Sequence, residues 1–419
     1  MKTLHEWLAY IEQQHPQDIA MGLERVRAVA ERMRLTRPAK KVITVGGTNG
    51  KGSTVAFVEA IARAGGWTVG SYTSPHLLRY NERVRIGGEE ASDAQLVAGF
   101  EAVDAARGDT PLTYFEYGTL AALWLFEQAG LDLAVLEVGL GGRLDAVNLI
   151  DADVAVITTV DIDHTDWLGT DREAIGAEKA GIARPWKPLV LGEIDPPSSV
   201  LRRAYAIGAN AIRAGSDFFH EPIDAEQWRW RDVGTELELP WPQLRAPVQR
   251  ANAATAIAAL RALRKALPRT AYAEGIAAAR LRGRLQPFAR DGVELLVDVG
   301  HNPQAARELA AALQATPCAG STRAVFAALA DKDAAGVVQA LAGQVAAWHL
   351  AGLPGPRGQS GAQLQARLAG TDAAVGMVAD SVAQALQQAL AQARPGDRVL
   401  VFGSFHTAAD ALHWLHSAG

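Results

Sequence analysis

Residues 41–64, KVITVGGTNGKGSTVAFVEAIARA, constrain the fold more than any other stretch, because they read as a buried strand, a tight glycine turn and a helix in immediate succession. Val42, Ile43 and Val45 form a short β-branched run, and Gly46, Gly47, Gly50 and Gly52 give the turn backbone angles closed to other residues. After Ser53 the apolar residues Val55, Val58, Ile61 and Ala62 recur at helical spacing until Gly65-Gly66 stops the helix. A glycine turn opening onto a helix gathers several N–H groups and the positive end of the helix dipole at one point, where an anion belongs. Lys51 adds a charge for terminal phosphates, and the hydroxyl of Ser53 or Thr54 can ligate magnesium. Val45 replaces the first glycine of the usual phosphate-loop signature, and Gly52 separates Lys51 from Ser53. An ordinary strand-to-helix turn is the alternative; four glycines around a Gly-Lys pair, directly after an apolar strand, weigh against it.

At 419 residues the chain exceeds the ~250–300 at which one core stops growing, so two domains are expected. The net charge of −5 comes without any Lys/Arg block of the kind that binds nucleic acid, so phosphate binding is local and no nucleic-acid partner is expected. Cys318, the sole cysteine, excludes an internal disulfide and a cysteine metal cluster and suits a reducing cytoplasm. The N-terminal MKTLHEWLAYIEQQH carries Glu6 and Glu12 and lacks a small-residue cleavage site, unlike a signal peptide. No uncharged apolar run approaches the ~18 residues of a membrane span. The expectation is a cytoplasmic monomer without a membrane partner.

Two helices, over 4–14 and 23–35, precede the glycine turn, and a strand over 67–77 runs into a loop after it. Helices over 91–106 and 116–129 flank LTYFEYGT at 112–119, where Tyr114, Phe115 and Tyr117 read first as core aromatics. A buried-type strand over 131–138 carries a single acid, Glu137. At the C-terminal edge of a parallel sheet beside a phosphate loop, such a carboxylate can hold a nucleotide's magnesium; a structural ion pair is the alternative. The strand over 153–160 empties into DIDHTDWLG, which clusters Asp161, Asp163, His164 and Asp166 as candidate ligands or phosphate contacts, although magnesium prefers oxygen to imidazole. Thr170 and Glu173 signal a capping box for a helix over 171–184. On that helix Lys179 shares a face with Ile175, Ile182 and Ala183, and a snorkelling side chain is the plain account. An antiparallel pair is expected within 228–240 and an alanine-rich helix over 249–267. The helical pattern breaks at 281–288. Beyond it, strands over 294–301, 322–329, 345–352 and 398–405 alternate with helices, as in a second, mostly parallel sheet. Three of its strand ends carry polar residues: Asp298 with His301, Asp331-Lys332-Asp333, and Ser404 with His406. The fold class is α/β: an N-terminal phosphate-loop ATPase-type domain with a mostly parallel sheet over 1–284, and a smaller Rossmann-like α/β domain over 288–419.

Laid in order, GTNGKGS, SPHLLRYNERVRI, LTYFEYGT, LEVGLGGRLDAVN, DHTDWLG, EKAGI, NAATA, HNP, DKD and GSFHT resemble the motif series of the folylpolyglutamate synthases, members of the Mur ligase superfamily, across nearly the whole chain. One position differs: Gly300 stands where the family more often has alanine. The resemblance implies an ATP-dependent amide ligase. It phosphorylates a substrate carboxylate, and the amine of L-glutamate attacks the acyl phosphate. The pattern is closest to members that accept both dihydropteroate and reduced folates. The implied cofactors are ATP and Mg2+, with room for a monovalent cation. The resemblance places Thr48, Asn49, Gly50, Lys51, Gly52, Ser53, Asn252, Arg284 and Asp298 at ATP, and Ser53, Glu137 and His164 at the metal. It gives catalytic roles to Lys51, Lys179 and His301, with Lys179 matching a lysine that becomes a carbamate in many Mur-type ligases. Gly22, Leu23, Glu24, Arg25, Tyr114, Phe115, Thr119, Gly142, Arg143 and Leu144 fall to the pterin or folate, and Ser404 and His406 to the glutamate side. Closure of the two domains would complete such a site. A cell-wall amino-acid ligase would share the loop, but LTYFEYGT and the short N-terminal region favour a folate-type substrate. A nucleotide switch would share it too, yet no Asn-Lys-x-Asp guanine-reading motif is present.

Overall fold

A computed structural model of the chain describes residues 2–417 apart from 16, 18 and 19. These divide into two compact units, the first comprising residues up to His76 with Tyr80–Gln243 and Arg250–Ala279, the second Leu77–Arg79, Leu244–Gln249 and the chain from Arg280 onward.

The first unit is built on an eight-stranded sheet. Its strands are β1 (Ala39–Gly46), β2 (Val69–Tyr72), β3 (Val84–Ile86), β4 (Glu89–Glu90), β5 (Leu131–Glu137), β6 (Val154–Ile157), β7 (Pro188–Leu191) and β8 (Asn210–Arg213), in the order β4-β3-β2-β5-β1-β6-β7-β8. All pairings are parallel except those of β3. β1 lies between β5 and β6, and β1 from Val42 onward, β5 from Leu133 onward and all of β6 are buried, as strands covered on both faces are. The register sets Val45 opposite Glu137 and Gly46 opposite Ile157, so the lone acid of β5 ends level with the start of the glycine turn.

The helix Tyr114–Ala129 starts two residues before the expected 116, because Thr113 caps it and Glu116 closes the capping box. The box expected from Thr170 and Glu173 does not form. Asp171, one residue nearer, caps the helix Arg172–Lys179 by accepting from Ala174 N, and Glu173 instead accepts from Ser198 N and Ser199 N, 2.9 and 2.6 Å away, at the start of the next helix. The same helix ends at Lys179 rather than 184 and tightens into a 3-10 turn, Ala180–Ile182, where the Arg143 backbone crosses close against Gly181. The expected antiparallel pair is a three-stranded sheet, β9 (Phe218–Pro222), β10 (Gln227–Asp232) and β11 (Glu236–Pro240). Trp228 and Trp230 on β10 are fully buried, and Trp230 Nε1 donates to Ala254 O of the helix Val248–Ala262, 3.1 Å away.

The second unit holds a six-stranded sheet in the order β12-β13-β17-β14-β15-β16: β12 (Gln286–Arg290), β13 (Val293–Val297), β14 (Thr322–Phe326), β15 (Ala347–Ala351), β16 (Met377–Ala379) and β17 (Arg398–Phe402). Only β12 is antiparallel to its neighbour. The two edge strands were not foreseen, because QPFAR is too polar and MVA too short to stand out. Among the described residues, no helix is long and apolar enough to cross a membrane.

Candidate active site

The glycine turn follows β1 and opens the helix Lys51–Ala64, whose N-cap is Gly50 at φ 83°. It is tied down by the segment after β6. Thr48 N donates to Thr159 O at 2.7 Å, Asn49 N to Thr159 Oγ1 at 3.1 Å, and Thr158 Oγ1 to Asn49 O at 2.6 Å. A Cβ on Gly47 would sit 1.9 Å from Thr158 Oγ1, and one on Gly50 would sit 2.5 Å from Asn252 Oδ1. Both glycines also hold positive φ, so no side chain fits either place. Asn252 thus abuts the turn.

Lys51 is not on an open loop. It is the first residue of the helix, half-buried, and its Nζ donates to Gly47 O and Thr48 O, each 3.2 Å away. Lys179, 4 % exposed, sends its Nζ to the same Gly47 carbonyl at 3.0 Å. It does not snorkel. Two amines on one carbonyl cannot both carry charge cheaply, and burial first, with the Lys51 charge second, brings the Lys179 pKa down to about 7; Asp163 and Asp145 oppose this.

Glu137 is buried and accepts from Ser74 N at 3.2 Å, which brings Ser74 to the carboxylate. Ser53 and Thr54, on the first turn of the helix, are buried, and Thr54 Oγ1 has no hydrogen-bond partner. His164 adopts φ 52° at the N-cap of the short helix Thr165–Leu168, a conformation fixed in part by its N–H bonding Asp163 Oδ1 at 2.8 Å. No group of three His, Cys, Asp or Glu forms a metal cage among the described residues. What is present is a buried carboxylate and hydroxyls beside a phosphate-type turn, a donor set that suits Mg2+, which keeps waters and takes phosphate oxygens.

A second group of residues lies around the loop after β5. Gly22 N donates to Leu144 O at 3.4 Å, and Gly142 is pressed against the carbonyls of Glu178 and Lys179, where a Cβ would fall within 3.0 Å of either. Arg143, exposed, pairs with Glu178 at 2.8 Å. Arg25 pairs with the buried Glu116 at 2.7 Å, while Leu23 and Glu24 open the helix Glu24–Met33. Tyr114 and Phe115 are half-buried, and the Phe115 ring packs against Gly139 and lies 5.9 Å from that of Tyr72. Thr119 is fully buried, its hydroxyl bonded to Phe115 O. Asp145, which sequence reasoning missed, is buried within this loop, accepts from Leu140 N and Val147 N, and is pushed up to about 6 by burial. Its one signal was the acid following Gly-Gly-Arg-Leu. Ser74 was missed as well, being one of several hydroxyls in its stretch.

In the second unit Arg284 and His301 both approach the ring of Phe405, at 5.6 and 6.4 Å. Asp298 is buried, accepts from Leu285 N and Gly300 N at 2.8 and 2.7 Å, and is raised above the usual carboxylate range by burial, against the pull of Arg284. An alanine at Gly300 would set its Cβ 3.0 Å from Asp298 Oδ1. Ser404 Oγ is engaged by Thr407 N at 2.9 Å and His406 is exposed. The Asp331-Lys332-Asp333 stretch is used structurally: Asp331 pairs with Arg357 and Asp333 caps the helix Ala334–Ala340.

Two family models match: the Mur ligase middle domain over residues 45–244 and the Mur ligase glutamate ligase domain over 283–405. The dihydrofolate synthase/folylpolyglutamate synthase of Escherichia coli is 48 % identical over 98 % of this chain and 94 % of its own length, and that of Haemophilus influenzae is 44 % identical over 97 % and 96 %. Among solved structures, E. coli FolC in complex with DHPP and ADP superposes with a TM-score of 0.94 at 47 % identity, covering 100 % of this chain and 98 % of that one. The Yersinia pestis enzyme complexed with AMPPNP and Mn ion gives 0.93 at 47 %, covering 99 % and 98 %.

Proposed function

The chain belongs to the Mur ligase family, among the dihydrofolate synthase/folylpolyglutamate synthases, and from that premise we infer how its own residues carry the reaction. It is an ATP-dependent ligase that works with a divalent metal and joins L-glutamate to dihydropteroate and to reduced folates. The observation that carries the assignment of residues is the convergence of Lys51 and Lys179 on the Gly47 carbonyl, with Glu137 ending level with the same turn.

The N–H groups of Thr48–Ser53 and the Lys51 ammonium hold the β- and γ-phosphates, and Asn252 contacts the nucleotide beside Gly50. Ser53, Glu137 and His164 would hold the metal, with Ser74 N bonded to the Glu137 carboxylate, and the metal would supply charge neutralisation to the phosphates. The acceptor carboxylate oxygen attacks the γ-phosphorus and ADP leaves. The glutamate nitrogen then bonds the acyl carbon, phosphate leaves with the bonding electrons, and the nitrogen loses a proton. Lys179, held neutral in part at pH 7, adds CO2 through its free amine with loss of one proton. The resulting carbamate would replace a cation that repels a metal with an anion able to ligate one. Gly22–Arg25, Tyr114, Phe115, Thr119 and Gly142–Leu144 frame the pterin or folate. Arg284, Asp298 and His301 act on ATP and Ser404 and His406 on glutamate, by family likeness. The assignment divides the chain into an ATP- and folate-binding domain over 1–284 and a glutamate-ligase domain over 288–419, the latter also supplying Asp298 and His301. The reading takes the chain as a cytoplasmic monomer acting on small molecules, and the mixed placement of its Lys and Arg residues gives no footprint for nucleic acid.

The test is an amide-ligation assay with 7,8-dihydropteroate and tetrahydrofolate as separate acceptors. ADP release that requires both acceptor and glutamate, with either acceptor extended, is expected. ATP hydrolysis independent of both overturns the assignment.

A further inference from the structure

Arg83 ends the 3-10 turn Tyr80–Arg83 that leads into β3, and only 8 % of it is exposed. Its Nε donates to His76 Nδ1 at 2.9 Å, and its guanidinium lies 5.2 Å from the ring centroid of Tyr80 and 5.4 Å from that of Tyr114. Among the described residues no carboxylate pairs with it, and its two terminal nitrogens have no hydrogen-bond partner. Burial raises the phenol pKa of both tyrosines, so neither supplies a negative charge, and an imidazole supplies none. A guanidinium cannot shed its proton to escape burial. Two tyrosine faces offset part of the desolvation through cation–π contact, but the fork of N–H groups stays open. That fork matches two oxygens of one carboxylate.

The surroundings say which carboxylate. Thr73 N bonds the Arg83 carbonyl at 2.9 Å, and the next residue, Ser74, donates to Glu137. On the other side the rings of Tyr80 and Tyr114 lie 5.7 Å apart, next to the Tyr72–Phe115 pair. Arg83 therefore stands where a flat aromatic wall meets the acid assigned to the metal. A phosphate would be better served by the amide-lined turn at Lys51; a planar aryl carboxylate fits an arginine between rings. We propose that Arg83 binds the carboxylate of the acceptor and fixes it at the aromatic wall, an inference that rests on the ligase reading above.

The full-length wild-type chain and its Arg83→Met and Arg83→Lys variants are compared for binding of dihydropteroate and of its carboxamide, which keeps the rings and lacks the charge. Wild type should prefer the acid. Arg83→Met should weaken the acid roughly ten- to hundredfold, the worth of a charge-assisted pair, and leave the carboxamide within about twofold. Arg83→Lys should recover part of the loss, and in turnover KM for dihydropteroate should rise with KM for ATP unchanged. Equal losses for acid and carboxamide, or no loss for the acid, overturn the proposal. If Arg83→Met no longer binds AMPPNP, its fold is compromised, and Arg83→Lys against wild type makes the same comparison. Binding needs no turnover, so failure of the wild type to ligate either acceptor strikes the ligase reading alone.

Discussion

Replacing Lys179 by methionine removes a buried amine while keeping the volume of its stem, and the structure sets the size of the effect. Burial lowers the pKa from 10.5 to about 7, a difference of 3.5 units or about 5 kcal/mol at 1.36 kcal/mol per unit. A depressed lysine pKa means that the unfolded chain binds one more proton than the folded one between the two values, so the wild type gains stability as pH rises through that window. At pH 9, 1.5 units below the unfolded value, about 2 kcal/mol of the penalty remains, against about 4 kcal/mol at pH 7, where the amine is half titrated. Lys179→Met carries no such penalty but gives up the hydrogen bond to Gly47 O, an offset of about 1–2 kcal/mol that changes little with pH. Its advantage in urea unfolding, measured in CO2-free buffer, should therefore shrink by about 2 kcal/mol from pH 7 to pH 9. Adding bicarbonate should stabilise the wild type and leave the variant unmoved, since only the amine can bind CO2. Ligation should be lost in the variant throughout. A stability difference that stays flat from pH 7 to 9 would refute the desolvated amine, and with it the reason for a carbamate there.

Lys51→Ala should leave the unfolding free energy within about 1 kcal/mol, because its bonds go only to two turn carbonyls, while ligation at saturating ATP falls at least about a hundredfold. Gly50→Ala should abolish AMPPNP binding measured by calorimetry, since the new Cβ meets Asn252 Oδ1 at 2.5 Å; near-normal affinity would contradict the proposed turn geometry. Arg25→Ala should destabilise the chain by about 2–4 kcal/mol by stranding the buried Glu116, and adding Glu116→Gln should return part of that in the same denaturation assay.

Much of the fold was readable because it rests on patterns that local chemistry sets. The strand, glycine turn and helix at 41–64 fall where the β-branched run and the helical spacing put them, and Glu137 announced itself as a charge in an otherwise apolar strand. Lys179 drew notice for the same reason, but an apolar helix face is equally compatible with a snorkelling amine, and only the packing shows that this one is buried. Other features depend on contacts between distant segments, which spacing does not encode. Asp171 rather than Thr170 caps its helix because the Glu173 carboxylate is taken by Ser198 and Ser199, some two dozen residues on. Asp145 and Ser74 were hidden because loop acids and serines are common, and only the fold reveals that one is buried and the other touches Glu137. The edge strands β12 and β16 escaped notice because an edge needs neither length nor a continuous apolar run.

The fit of Asn252 against Gly50 also governs how the protein comes into being. The glycine turn and the residue that abuts it are roughly 200 positions apart in the chain, and the N-terminal unit closes only with Ala279. During synthesis the turn, its strand and its helix emerge early, but they face an unfilled place until the helix Val248–Ala262 has left the ribosome and docked against Trp230. A nascent or truncated chain ending before residue 250 thus carries the whole phosphate-loop signature while the turn still lacks the Asn252 side chain that packs on it.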